Sequence, residues 1–178
     1  MAVHVALLRG INLAGKRRVG MAQLRELLTE RGYEDVRTHL QSGNLVLRAT
    51  AGAERVQRDL AAAIEAQFHF AVPVIVRSAA QLDTVIADDP FGDCVTEPKL
   101  HQVTFLAGPP PAGTEQRLQA LAAGAERVKV GSQEIYTWHP DGIGRSRLAT
   151  ALSAPAIGVV ATTRNFRTVR ALAELAAG

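Results

Sequence analysis

Val36–Arg48 reads VRTHLQSGNLVLR. Val36–Leu40 and Leu45–Arg48 are short stretches suited to extended backbone. Gln41-Ser42-Gly43-Asn44 between them is turn chemistry, since glycine accepts positive φ and serine and asparagine bond to nearby backbone. The spacing predicts a hairpin. Upstream, the apolar run Val3–Leu8 predicts a strand closed by Arg9-Gly10. Met21–Arg31 predicts an amphipathic helix with Met21, Leu24, Leu27 and Leu28 on one side and Gly32 as its stop. Downstream, Val56, Leu60, Ile64 and Phe68 recur every fourth residue, which predicts a helix over Glu54–Phe68, and Pro73–Arg77 predicts another strand. The order is strand, helix, strand, strand, helix, strand. In such a unit the first two strands run parallel with the third between them. The loop after the first strand and the hairpin therefore lie at one end of the sheet.

The same order recurs later in the chain. Ser78 predicts the cap of a helix that buries Leu82, Val85 and Ile86. Asp88–Lys99 mixes proline, glycine and acids and reads as a linker. Leu100–Ala107 follows as a strand, Thr114–Ala123 as a helix, Arg127–Val130 and Glu134–Trp138 as a hairpin, Arg145–Leu152 as a short helix and Gly158–Thr162 as a strand. Asn165 then caps a helix over Phe166–Ala176. The expected fold class is α+β: two ferredoxin-like (βαββαβ) subdomains packed into one body, with extra helices. The expected division is 1–87 for the first subdomain with its trailing helix, 88–99 for the linker and 100–178 for the second with its C-terminal helix. No residue-level repeat accompanies this doubled order.

The chain has 178 residues, 47% of them hydrophobic and 21% charged. That is the composition of a chain able to bury a core, and it excludes disorder. No window approaches the ~20 apolar residues of a membrane span. One cysteine, Cys94, rules out an intrachain disulfide and fits a reducing cytoplasm, which is the expected location. The net charge of +3 is unevenly placed. Met1–Arg25 holds five basic residues and no acid, and Gly142–Ala173 holds five arginines and no acid, so the remainder is net negative. Such asymmetry predicts a positive surface if the two segments meet, and two solvated arginine-bearing faces if they do not.

Glycines and cations concentrate in four polar turns. Gly10 to Lys16 spells GxxxxGK after a strand, but Arg17 stands where a phosphate-cradling loop needs Ser or Thr, and Val19-Gly20 delays the helix. What survives is an anion seat at Arg9, Gly10, Asn12 and Lys16, beside a plain basic loop as the alternative. Ser42, Gly43 and Asn44 of the hairpin are expected at the same end. Asp141-Gly142-Ile143-Gly144-Arg145-Ser146 puts Gly144 and Arg145 before a helix, with Asp141 and Ser146 as candidates for a base and a nucleophile. Arg164, Asn165 and Arg167 surround the start of the last helix. Tyr136 and Trp138 share a strand face near Phe105, a pattern that stacks bases in some sheets of this topology and fills cores in others. His4, His39, His69, His101 and His139 are scattered without metal-ligand spacing, so neither a metal nor another cofactor is expected. Asp88-Asp89 read as simply adjacent.

Taken together, LLRGIN, VGMAQLRELL, GYEDVRTHLQSGNLVL, VPVIVRS, DPF, EPK, FLAGPP, DGIGRSRL and TTRNFRTV, in that order, resemble the bacterial domain of unknown function 1697 family over about Val3 to Leu175. The resemblance implies two α+β subdomains of ferredoxin-like character and no established reaction or ligand. The family's motif positions coincide with the four polar turns. This chain departs from the family in having Gly20 in place of a proline before Met21 and Phe166 in place of a tryptophan. Three functional readings follow. The leading one is an anion-binding protein whose turns form a basic cleft for a phosphate-containing small molecule or nucleic acid. The second is an enzyme using Asp141 or Ser146 in that cleft. The third is a non-catalytic interaction module, a homodimer through the aromatic face. None involves a membrane.

Overall fold

A computed structural model describes residues 1–153 and 157–178. The chain divides into two compact units, Met1–Asp83 with Ala171–Gly178, and Thr84–Arg170. In the first, β1 (Ala2–Leu8), α1 (Met21–Glu30), β2 (Glu34–His39), β3 (Asn44–Ala49), α2 (Ala53–Phe68) and β4 (Val74–Ser78) follow in that order. The sheet runs β2-β3-β1-β4, and all pairs are antiparallel. β1 is thus parallel to β2 across β3, as the βαββαβ order requires.

The first core forms where a period of two meets a period near 3.6. Ala6 of β1 pairs across to Leu45 of β3, and with Leu8 and Leu47 they make one face that packs under Leu24 and Leu28 of α1 and Val56, Leu60 and Ile64 of α2. The opposite face is also covered: Val5, Leu7, Val46 and Ile75 are buried. Gly43 is fixed by geometry twice over. Its φ is +77°, and a Cβ there would lie 2.6 Å from the Leu8 Cβ. That close approach lets the Leu8 amide donate to the Gly43 carbonyl at 2.8 Å.

α3 (Ala79–Ala87) begins with a reciprocal cap. The Gln81 amide donates to Ser78 Oγ at 3.1 Å, and the Ser78 amide donates to Gln81 Oε1 at 2.8 Å. Leu82 and Val85 of this helix are buried. Residues 88–100, read from sequence as mostly linker, belong to the second unit and contain short 3-10 turns at Gly92–Cys94 and Pro98–Leu100.

The second unit repeats the topology with β5 (His101–Leu106), α4 (Thr114–Gln119), β6 (Arg127–Val130), β7 (Glu134–Trp138), α5 (Arg147–Ser153) and β8 (Ala161–Asn165), in the sheet order β6-β7-β5-β8. Two four-stranded antiparallel sheets with helices make this a mixed α+β fold with two ferredoxin-like subdomains. Leu106, Val128, Ile135 and Ala161 line the helix-facing side against Leu118, Leu148 and Leu152. α4 ends several residues short of Ala123, and α5 starts at Arg147, not Arg145. The final strand lies at Ala161–Asn165, later than Gly158–Thr162, because its register is set by pairing with β5, where Leu106 faces Ala161 and Gln102 faces Asn165. A β-branched run alone does not fix which residues enter a ladder. α6 (Phe166–Ala177) opens as expected, its Thr168 amide donating to Asn165 Oδ1 at 2.8 Å. No helix among the described residues is long and apolar enough to cross a membrane.

Candidate functional site

At one end of the first sheet, the loop after β1 meets the β2–β3 hairpin, as the topology dictates. Asn12 ties them. It sits at φ +55°, its Nδ2 donates to the Gln41 carbonyl at 2.8 Å and the Val19 carbonyl at 3.0 Å, and its Oδ1 accepts from the Val19 amide. Asn44 is fully buried, with Nδ2 donating to the His39 carbonyl and Ser42 Oγ. Both asparagines therefore hold the turns. Three amides of the loop are engaged as well: those of Asn12, Lys16 and Arg9 donate to the Arg17, Leu13 and Pro73 carbonyls, so these three are not open to an anion. Gly10 takes a positive φ of 68° between half-buried Arg9 and buried Ile11. Lys16, Arg17 and Arg18 are exposed, with the Arg17 guanidinium 5.2 Å from the Phe70 ring centre and bonded to the Ala71 carbonyl.

In the second unit, Gly144, Arg145, Ser146, Arg147 and Thr150, with Leu121 and Ala151, line an open depression of about 380 Å³ beside α5. Arg145 and Arg147 are exposed, and no carboxylate lines the depression. Ser146 is buried at its floor. Its Oγ accepts from the Ala149 amide at 2.9 Å, which caps α5, and lies 3.3 Å from His139 Nδ1. The histidine beside this serine stands only seven residues upstream. The same Nδ1 sits 2.7 Å from Glu126 Oε1, and Nε2 sits 3.0 Å from Thr137 Oγ1. A proton on Nδ1 donating to Glu126 leaves no lone pair there for the Ser146 hydroxyl. A nucleophile, its base and the orienting acid need separate nitrogens of the imidazole. Burial pushes the Glu126 carboxyl up, but hydrogen bonds from Ser146, His139 and the Ala123 amide outweigh it and hold the group below its ordinary range. Asp141 is exposed and has no hydrogen bond to Ser146 among the described residues.

Arg164 is half-buried on β8, where its Nη1 donates to Thr162 Oγ1 and the Thr163 carbonyl. Burial lowers its pKa to about 10. Arg167 is exposed on α6 and lines a different depression from Arg145, of about 240 Å³, together with Asp89, Gly92, Val95, Pro98, His101, Phe166 and Arg170. Arg145 and Arg167 thus line separate hollows. The aromatic strand face is closed. Tyr136, Trp138 and Phe105 are all buried, and the Tyr136 hydroxyl donates to the Val85 carbonyl at 3.0 Å. Burial pushes that hydroxyl's pKa up. These rings offer neither a base-stacking platform nor a surface for a second copy.

Sequence reasoning missed Glu126 with His139 and Asp89 with His101. Each pair is separated by about a dozen residues of turn and strand, and no short-range motif carries it. The one available signal was histidine at the margin of an apolar strand, where a buried imidazole needs a polar partner. No metal-holding cluster of His, Cys, Asp or Glu occurs among the described residues.

A family model described as protein of unknown function DUF1697 matches residues 1–136. The DGIGRSRL and TTRNFRTV motifs lie beyond that match. No curated protein matches the chain. Among solved structures, the conserved bacterial protein SP0830 from Streptococcus pneumoniae is similar, with a TM-score of 0.80 at 20% identity over 98% of each chain. At that identity the likeness shows a shared fold.

Proposed function

The chain belongs to the DUF1697 family of proteins of unknown function, and we propose that it is a cytoplasmic anion-binding protein that holds phosphate groups on arginine-bearing turns. The supporting observation is the open depression beside α5, with two exposed arginines, Arg145 and Arg147, and no carboxylate in its wall. Guanidinium presents paired donors that match phosphate oxygens, and a wall without acids leaves the field positive. Gly144 at the rim is exposed and lets a bulky anion approach the backbone. The exposed Lys16 and Arg18 of the first unit lie in a segment that also lacks acids. A shallow site of this kind suits a nucleotide or a nucleic-acid backbone better than a ligand that must be engulfed.

The test is calorimetric titration of the full chain with a nucleoside triphosphate and with a short single-stranded oligonucleotide, at low and moderate salt. Saturable binding that weakens with salt, and that Arg145→Ala with Arg147→Ala weakens by at least about tenfold, is the expected result. No saturable heat with either probe, or equal binding by the double variant, overturns the reading.

A further inference from the structure

Besides the depression beside α5, the second unit has a more enclosed hollow whose chemistry is of another kind. Its volume is about 240 Å³, below the ~300–1,000 Å³ of pockets for drug-sized ligands, so it fits a molecule of few heavy atoms. Val95, Pro98 and the Phe166 ring provide apolar wall. Two cations stand at it. Arg167 is exposed and has no partner among the described residues, and Arg170 places its guanidinium 5.2 Å from the Phe166 ring centre with no carboxylate partner there. The single acid in the wall, Asp89, is outnumbered by the two arginines, and its Oδ1 accepts from the Phe91 amide at 3.1 Å. The uncompensated charge facing the hollow is therefore positive.

A second observation is independent of that charge. His101 is 2% exposed and stacks on Phe166, with ring centres 4.3 Å apart and planes 13° apart. Its Nε2 lies 3.1 Å from Asp89 Oδ1 without hydrogen-bond geometry, so a buried polar atom beside the hollow has no directed partner. Buried polar atoms are nearly always satisfied, by protein, water or ligand.

We propose that this hollow binds a small organic acid, with the oxyanion on Arg167 and Arg170, the apolar body against Pro98 and Phe166, and a polar contact to the His101–Asp89 pair. The class is a carboxylate or phosphate monoester with a short apolar body. The oxyanion is common to both forms and the body sets the fit. This site is separate from the Arg145 depression and shares no lining residue with it.

The test follows the His101 imidazole by long-range nitrogen–proton NMR on the full chain, assigned with His101→Gln, during titration with benzoate, phenyl phosphate and inorganic phosphate. Benzoate or phenyl phosphate is expected to move the His101 signals saturably, and which of them does so identifies the acid group. Arg167→Gln, at an exposed side chain without partners, is expected to weaken that binding by at least about tenfold with an unchanged melting temperature, and Arg145→Ala to leave it intact. No saturable shift with either organic acid overturns the proposal, as does a response to inorganic phosphate alone or equal binding by Arg167→Gln. None of these outcomes depends on the Arg145 and Arg147 result, so the two readings fail separately.

Discussion

At His139 two partners compete for one nitrogen, and the shorter contact decides the chemistry. Glu126 takes the Nδ1 proton at 2.7 Å, so Ser146, 3.3 Å away, serves as a helix cap in a buried network. Both histidine–carboxylate pairs make the protein acid-sensitive, in different windows. Burial holds His101 below the usual histidine range, which outweighs the attraction of Asp89. The unfolded chain therefore takes up that proton first, and stability falls as pH drops below ~6.5 toward the folded value. The Glu126 carboxyl is also depressed in the folded state. Its contribution is complete above the ordinary glutamate value and is lost as pH falls through the lower folded one. Glu126→Gln is expected to lose about 1–3 kcal/mol at neutral pH, from partners left in a buried network, and to flatten the stability curve below about pH 4.5 with the higher window unchanged. Urea unfolding across pH checks this, and identical acid slopes in variant and parent would refute it.

Individual elements follow local rules closely. Ser78 with Gln81 and Asn165 with Thr168 close helix ends as their residue types suggest. α2 ends with His69 in the left-handed region at φ +61°, its amide donating to the Glu65 carbonyl. α1 starts after Gly20, whose φ of −70° and extended ψ of 124° are those of a proline, and its amide makes no hydrogen bond among the described residues. Gly20→Pro removes nothing that the fold uses and narrows the unfolded chain, so it is expected to add about 0.4–1 kcal/mol. Thermal unfolding of the single variant measures the gain, and a loss of stability would show that the entry to α1 needs glycine. The limits of α4, α5 and β8 were less legible, since helix length depends on packing and strand position on partner register.

For the whole molecule, the doubled βαββαβ order is realised as two sheets of identical strand order, although no sequence repeat links them. The end of the chain, Ala171–Gly178, is grouped with the first unit. Leu172 there is 1% exposed. Leu172→Ala is accordingly expected to destabilise the first unit by about 2–5 kcal/mol through lost burial and a residual cavity. Hydrogen exchange resolved by residue should show the loss in β1, β3 and β4, and a loss confined to Thr84–Arg170 would contradict the grouping.

Sequence by itself determined the element order and the fold class. Alternation, fourfold helical spacing, glycine turns and caps act over a few residues and are written in the chain directly. It also determined that the loop after β1 meets the β2–β3 hairpin, because strand order leaves no other place for them. Tertiary structure alone decided which carboxylate each buried histidine meets, that the Tyr136–Trp138 face is closed, and that Arg145 and Arg167 line separate hollows. Those outcomes depend on side chains brought together by chain closure. Their distances are set by packing, which local periodicity does not encode.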